Sequence, residues 1–207
     1  MDNWFFNTFP GLREVFDQTA YKEVRSLAFL NCLVQEIKPR TALELGTGRG
    51  CSTAFMALAI GDGRVVTIDN YRRVDINNPK LVEDNLRNCG ILDRVDLLNG
   101  ETFDTGHLFG NRKKPEMVFM DASHTAENLH REYESIRGLL PKNHVIVVDD
   151  ALYNDIGEFL SALMRQEPYS FFLMLPFHAG VAIMATKLAY LEKIHLAVKN
   201  CLELLRS

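Results

Sequence analysis

Short apolar runs alternate with amphipathic stretches along this chain, and the alternation predicts a layered α/β arrangement. From Leu12 to Ile37 the residues Val15, Phe16, Val24, Leu27, Ala28, Leu30, Leu33, Val34 and Ile37 recur at three- and four-residue steps. That spacing predicts one or two helices, closed by Pro39. A buried strand follows at Thr41–Leu45, then glycines at alternate positions (46, 48 and 50) and a helical segment from Ser52 to Ile60. The turn Gly61-Asp62-Gly63 leads into a second strand, Arg64 to Asn70. Pro79 to Asn88 reads as a helix stopped by Gly90, and Arg94 to Leu98 as a third strand.

The fourth strand is Glu116–Asp121, followed by a helix from about Ala126 to Leu139 that Ser123 or Thr125 can cap and Pro141 ends. His144–Asp150 is a fifth strand, near-continuously apolar as a parallel strand covered on both faces must be. A helix from about Asp155 to Arg165 comes next. Ser170–Leu175 and Val181–Thr186, joined by residues 176–180, read as an antiparallel hairpin. The last helix, Leu188 to Leu205, carries Leu191, Ile194, Val198, Cys201 and Leu205 as a stripe for core packing or a dimer surface.

Strand–helix units ending in a hairpin give a Rossmann-like, doubly wound sheet of seven strands, mostly parallel, with helices on both faces. The 207 residues form one domain, with a helical segment over 1–40 and a C-terminal helix over 187–207. Right-handed crossovers place the carboxyl ends of strands one, two, four and five on one edge. That edge collects Gly46 to Gly50, Asp69, Asp121, His124, Asp149 and Asp150.

Composition narrows the partners. A net charge of -4 offers no general attraction to nucleic acid or to an anionic membrane. No apolar run approaches the roughly 18 residues of a membrane span, and residues 1–6 lack the basic start of a signal peptide. The four cysteines (32, 51, 89 and 201) are far apart, which argues against zinc and suggests reduced thiols in the cytoplasm. The aromatic start (Trp4, Phe5, Phe6, Phe9) can pack over the domain or against a second subunit.

The glycine loop does not fit the dinucleotide fingerprint G-x-G-x-x-G, whose third glycine would fall on Cys51. Glu44-Leu45-Gly46-Thr47-Gly48-Arg49-Gly50 instead resembles motif I of the class I S-adenosylmethionine-dependent methyltransferases. That resemblance implies that Glu44, Gly46, Thr47, Gly48 and Gly50 hold S-adenosyl-L-methionine. It also brings the turn Asn99-Gly100-Glu101-Thr102 to the adenine, with Glu101 as its candidate or simply an exposed loop acid. Asp69, at the end of strand two and 19 residues beyond Gly50, can accept hydrogen bonds from a ribose diol, or can simply form a turn. The connection from Tyr71 to Asn78, with Arg72 and Arg73, lines the mouth or is a solvated loop; residues 111–115 read as a solvated basic loop.

Three carboxylates on one edge repel and raise each other's pKa unless a cation sits among them. Asp121, Asp149 and Asp150 supply oxygen ligands, which suit Mg²⁺, Ca²⁺ or Mn²⁺. His124, three residues after Asp121, can take a hydroxyl proton, since an imidazole ordinarily titrates near ~6.5, or can be a loop histidine bonded to a neighbouring acid. Asp-x-x-His after strand four with an acidic pair after strand five resembles the metal-dependent small-molecule O-methyltransferases, including those acting on macrolide sugars. The catechol-type relatives end their triad in Asp-Asn, where this chain has Asp149-Asp150.

The resemblance implies an O-methyltransferase acting on a hydroxyl of a sugar or natural product; the cysteines add a cytoplasmic setting, and the aromatic start and terminal stripe a homodimer. His124 and Asp121 would be catalytic and Mg²⁺ would sit on Asp121, Asp149 and Asp150. Phe177 and His178 could face the acceptor, and Tyr153 could flank it or simply pack. Two other readings stay open on the residues alone: a non-catalytic binding module of the same fold, and a nicotinamide-dependent oxidoreductase.

Overall fold

The structure is a computed structural model that describes residues 24–72, 78–177 and 179–206. The aromatic start, the first half of the leading helix, Arg73 and His178 lie outside the described residues. Among these the chain forms seven α-helices and seven strands. Helix α1 (Val24–Ile37) ends where Lys38 turns left-handed (φ 55) and donates its N–H to the Val34 carbonyl, with Pro39 blocking continuation. Strand β1 (Thr41–Leu45) leads into α2 (Cys51–Ala59), and β2 (Arg64–Asp69) into α3 (Pro79–Asn88). Asn78 caps α3 by accepting from the Leu81 N–H, and Pro79 stands where no intrahelical donor is needed. Strand β3 (Val95–Asn99) is followed by a short helix, α4 (Thr105–Phe109), which the apolar pattern does not announce.

Strand β4 (Met117–Met120), α5 (Ala126–Arg137), β5 (Val145–Val148) and α6 (Ile156–Gln166) complete the second half. The hairpin β6 (Phe171–Leu175) and β7 (Val181–Ala185) and helix α7 (Ala189–Leu204) close it. The sheet order is β3-β2-β1-β4-β5-β7-β6, with every pair parallel except β5–β7 and β7–β6. The chain leaves β1 toward β3, returns past it to β4, and so opens a crevice at the carboxyl ends of β1 and β4.

Alternation along each strand divides the core. Ala42, Val65, Met117, Phe119, Val145 and Val147 pack under α1, α2, α3 and α7. Leu43, Leu45, Val66, Ile68, Val118, Met120, Ile146 and Val148 pack under α4, α5 and α6. The terminal stripe is mostly core: Ile194 and Cys201 are buried and Val198 and Leu205 pack on that core, whereas Leu191 is exposed. Residues 111–114 are exposed, as a solvated loop should be, and Arg112 among them also holds Asp96 through Nε at 3.1 Å and the Phe109 carbonyl through Nη1 at 2.9 Å. Among the described residues no helix is long and apolar enough to cross a membrane.

Candidate active site

Strand register fixes which side chains meet. Glu44 pairs with Thr67 and Phe119, and Phe119 with Val147, forming one row across four strands. Two positions further on, the next row is Asp69, Gly46, Asp121 and Asp149. Ladder bonds continue one step past the strand ends: Gly46 N–H to Ile68 O (2.9 Å), Asp121 N–H to Leu45 O (2.9 Å) and Asp149 N–H to Met120 O (3.1 Å). Parity puts this row on the face covered by α1 and α2.

The glycine loop is built against that row. Gly46 sits at φ 97, where a side chain is strained, and a Cβ there would lie 2.7 Å from Ala122 Cα and Asp121 O. The loop after β1 therefore touches the loop after β4 backbone to backbone. Gly50, left-handed at φ 84, starts α2, and its carbonyl accepts the Ala54 N–H. Glu44 is fully buried under α2 and accepts from the Thr53 hydroxyl. The Thr47 and Thr67 hydroxyls bond to each other at 2.6 Å, and Asn85 on α3 donates to the Arg49 carbonyl at 3.0 Å. These partners pin the loop from below.

Asp69 binds the loop itself: Oδ2 accepts the Gly48 N–H at 2.9 Å and Oδ1 the Tyr71 N–H at 2.8 Å. Burial pushes the Tyr71 phenol up to about 12, so it stays protonated beside this carboxylate. Glu101 is ion-paired to Arg72 and accepts from Asn70 Nδ2 at 3.2 Å. Its carboxylate thus ties the loop after β3 to the loop after β2.

The expected ligand triad divides. Asp121 and Asp149 stand abreast in register, a strand spacing of roughly 4.8 Å apart, and Asp149 is only 7% exposed. Asp150 has a left-handed backbone (φ 53), which takes it out of the strand alternation and carries its Oδ2 to 3.2 Å from His124 Nδ1. Among the described residues no group of three His, Cys, Asp or Glu side chains converges to hold an ion. At 3.2 Å the Nδ1–H points to the carboxylate, which leaves Nε2 as the basic nitrogen. The His124 side chain is 45% exposed, its carbonyl accepts from Asn154 Nδ2 at 3.0 Å, and Tyr153 stands edge-on with ring centroids 6.3 Å apart. Tyr153 and Leu152 are exposed beside it, whereas Phe177 turns to α1 and packs 5.6 Å from Phe29.

Capping resolves in favour of Thr125, which accepts the Asn128 N–H; Asp155 adds a bond from the Ala126 N–H at 2.9 Å. Ser123 instead donates to Glu132 Oε1 at 2.8 Å. Glu132, Thr53, Thr67 and Asn85 escape a motif search. Glu132 and Asn85 do carry a signal, since each is a polar residue inside the buried stripe of its helix: Leu129, Glu132, Tyr133, Ile136 and Val82, Asn85, Leu86.

Residues 43–151, more than half of the chain, match a family described as "Methyltransferase domain". The catechol O-methyltransferase of Mycobacterium tuberculosis (strain ATCC 25618 / H37Rv) is 32% identical over 125 residues. That match covers 60% of this chain and 54% of the relative, so it spans about half of the relative's length. Among solved structures, an O-methyltransferase from Bacillus cereus in complex with SAH superposes with a TM-score of 0.71 at 23% identity, covering 86% of this chain and 91% of that one. The O-methyltransferase TomG from Streptomyces achromogenes, in complex with SAM and involved in tomaymycin synthesis, gives 0.71 at 19%, covering 84% and 88%. At such identities the likeness speaks for the fold. With its motif I loop, its β3-β2-β1-β4-β5-β7-β6 sheet and the match over 43–151, the chain belongs to the methyltransferase-domain family and is folded as a class I methyltransferase.

Proposed function

We propose that this chain is an S-adenosylmethionine-dependent O-methyltransferase acting on a hydroxyl of a small sugar or natural product. The observation that carries the reading is the His124–Asp150 pair, 3.2 Å apart, on the edge where the glycine loop and Asp69 form the row of the β1/β4 crevice. The methyl donor's ribose would lie on Asp69, with its methionine end along Gly46 to Gly50. The acceptor would rest against the exposed Tyr153 and Leu152, its hydroxyl toward His124 Nε2. As the hydroxyl oxygen attacks the sulfonium methyl, its proton passes to Nε2, the new O–C bond forms, and the S–C bond breaks to leave the thioether. Asp150 would stabilise the imidazolium and hold the tautomer that leaves Nε2 basic.

Mg²⁺ enters the same proposal. Two carboxylates abreast, Asp121 and Asp149, fit its habit of taking one or two protein carboxylates and filling the remaining positions with water and substrate oxygen. Such an ion would favour the ionised acceptor, while Asp150 stays with His124. The homodimer is likewise a proposal, supported by the exposed Leu188, Leu191 and Leu202 on or beside α7.

The test is calorimetric titration of S-adenosylhomocysteine, followed by transfer of labelled methyl from S-adenosylmethionine to hydroxylated acceptors. A dissociation constant of ~1 μM or tighter, about -8 kcal/mol, together with transfer lost by two orders of magnitude or more in His124→Ala, is expected. No binding to the wild type, with or without Mg²⁺, would overturn the reading.

A further inference from the structure

Glu132 is an acid where the helix pattern calls for an apolar residue. It lies between Leu129 and Tyr133 on the inner face of α5, and it is 1% exposed. Its Oε1 accepts two hydroxyl hydrogen bonds that come from different loops. The Thr102 hydroxyl, just past β3, is at 2.6 Å, and the Ser123 hydroxyl, next to His124, is at 2.8 Å. The other oxygen, Oε2, is buried without a hydrogen-bond partner among the described residues. Burial raises this carboxyl's pKa, with the two hydroxyls and His124 opposing that rise. Holding such a group inside is unfavourable unless its hydrogen bonds return something.

What the bonds join is the two sides of the site. Thr102 belongs to the turn that begins at Gly100, whose N–H is bonded to the Asp69 carbonyl at 3.0 Å, and whose Glu101 takes Asn70. Ser123 belongs to the five-residue link from Asp121 to the helix cap at Thr125. Helix α5 reaches the first loop a second time, through Ser135 Oγ to the Thr102 carbonyl at 3.1 Å, and the Thr105 hydroxyl meets the same carbonyl at 2.5 Å. The far end of the other link is held to α5 by the Asn128 and Leu129 N–H groups on Thr125, and Glu132 ties its middle, at Ser123, to the loop that carries Thr102.

We propose that Glu132 is a positioning residue that clamps the base-bearing loop after β4 to the loop beside Asp69, fixing His124 relative to the bound methyl donor. It acts through Ser123 and Thr102 and touches no reactant. The proposal rests on the methyltransferase reading for its catalytic consequence, and on geometry alone for its mechanical one.

Both parts are tested in the full chain. Ser123→Ala cuts the base arm and is expected to lower kcat about tenfold with S-adenosylhomocysteine affinity unchanged. Thr102→Val cuts the donor arm and is expected to weaken that affinity with a smaller effect on kcat. Glu132→Ala should do both, and adding Ser123→Ala to it should lower kcat no further. Glu132→Gln keeps an acceptor oxygen and should recover most of kcat.

Hydrogen exchange supplies the activity-free readout. Glu132→Ala should speed exchange of amides in 100–105 and in 121–125 while the middle of α5 stays protected. Should the wild type fail to bind donor, the functional reading falls and exchange still decides the clamp. A folded Glu132→Ala protein with unchanged exchange in either loop, or additive effects of Ser123→Ala and Glu132→Ala on kcat, would overturn the proposal. If Glu132→Ala does not fold, the two single-arm variants carry the same decision through the kcat-against-affinity split.

Discussion

Gly46→Ala is the sharpest perturbation the glycine loop offers, because Gly48→Ala two residues on is its own control. Both glycines are left-handed, at φ 97 and 54, so each alanine would carry ~1–2 kcal/mol of backbone strain. Their surroundings differ. A Cβ on Gly48 meets nothing within 4 Å, whereas one on Gly46 lies 2.7 Å from Ala122 Cα and Asp121 O and 2.8 Å from Ala122 N. Those atoms are backbone, held by the Asp121 N–H bond to Leu45 O, and cannot swing aside as a flexible side chain would. Overpacking of this kind adds ~1–3 kcal/mol. Gly46→Ala should therefore lose about 2–5 kcal/mol and Gly48→Ala about 1–2 kcal/mol.

Urea denaturation followed by circular dichroism measures both. The clash also pushes the loop that bears Asp121 and His124, and displacements near 1 Å cost about 100-fold in rate. Turnover of Gly46→Ala at saturating donor should thus fall well below that of Gly48→Ala, whose defect should lie in donor affinity. Equal destabilisation of the two variants would mean that the contact between the loops after β1 and β4 is not tight, and the reasoning would fail.

Three further outcomes are expected. If Mg²⁺ sits on Asp121 and Asp149, then Asp121→Asn and Asp149→Asn should raise the Mg²⁺ concentration for half-maximal turnover tenfold or more. Asp150→Asn should instead lower kcat and move its pH profile; equal Mg²⁺ defects in all three would return Asp150 to the ion. Thr53→Val removes the hydroxyl that serves the fully buried Glu44 and should cost about 1–3 kcal/mol by thermal or urea unfolding, and no measurable loss would refute that bond. His144 is buried between the Pro141 carbonyl (2.7 Å) and the Tyr169 hydroxyl (3.3 Å), and burial lowers its pKa. The unfolded chain then binds the proton first, so stability is lost as pH falls from ~6.5 toward the folded value, by at most ~1.4 kcal/mol per pH unit. His144→Gln should flatten that slope between pH 7.5 and 5.5, whereas an unchanged slope would place the titration elsewhere. Glu132, with its pKa raised, has the opposite sign and does not explain such a loss.

How legible the site was in the sequence depends on the range of the forces that built it. The row Asp69, Gly46, Asp121, Asp149 could be anticipated because strand order and right-handed crossovers are global rules, and acids at strand ends stay on the edge whatever the side chains do. What parity then adds is that all four fall on one face, a consequence of register that no single strand reveals. Asp150 meets His124 from a left-handed backbone just after β5, and Asp-Asp in sequence does not announce which member turns. Helix α4 is not legible in the sequence, because a helix of five residues makes too few turns to show a period. Glu101 was read from its place in the turn after β3, but its partners Arg72 and Asn70 come from the loop after β2, so its bonding depends on how two loops meet. Glu132 lay open to a different kind of reading. Within an amphipathic helix the buried stripe is itself a prediction, and a carboxylate on it is a contradiction that only a partner can relieve. Glu132 and Asn85 are legible in this way from the sequence alone, though the loops they hold are not.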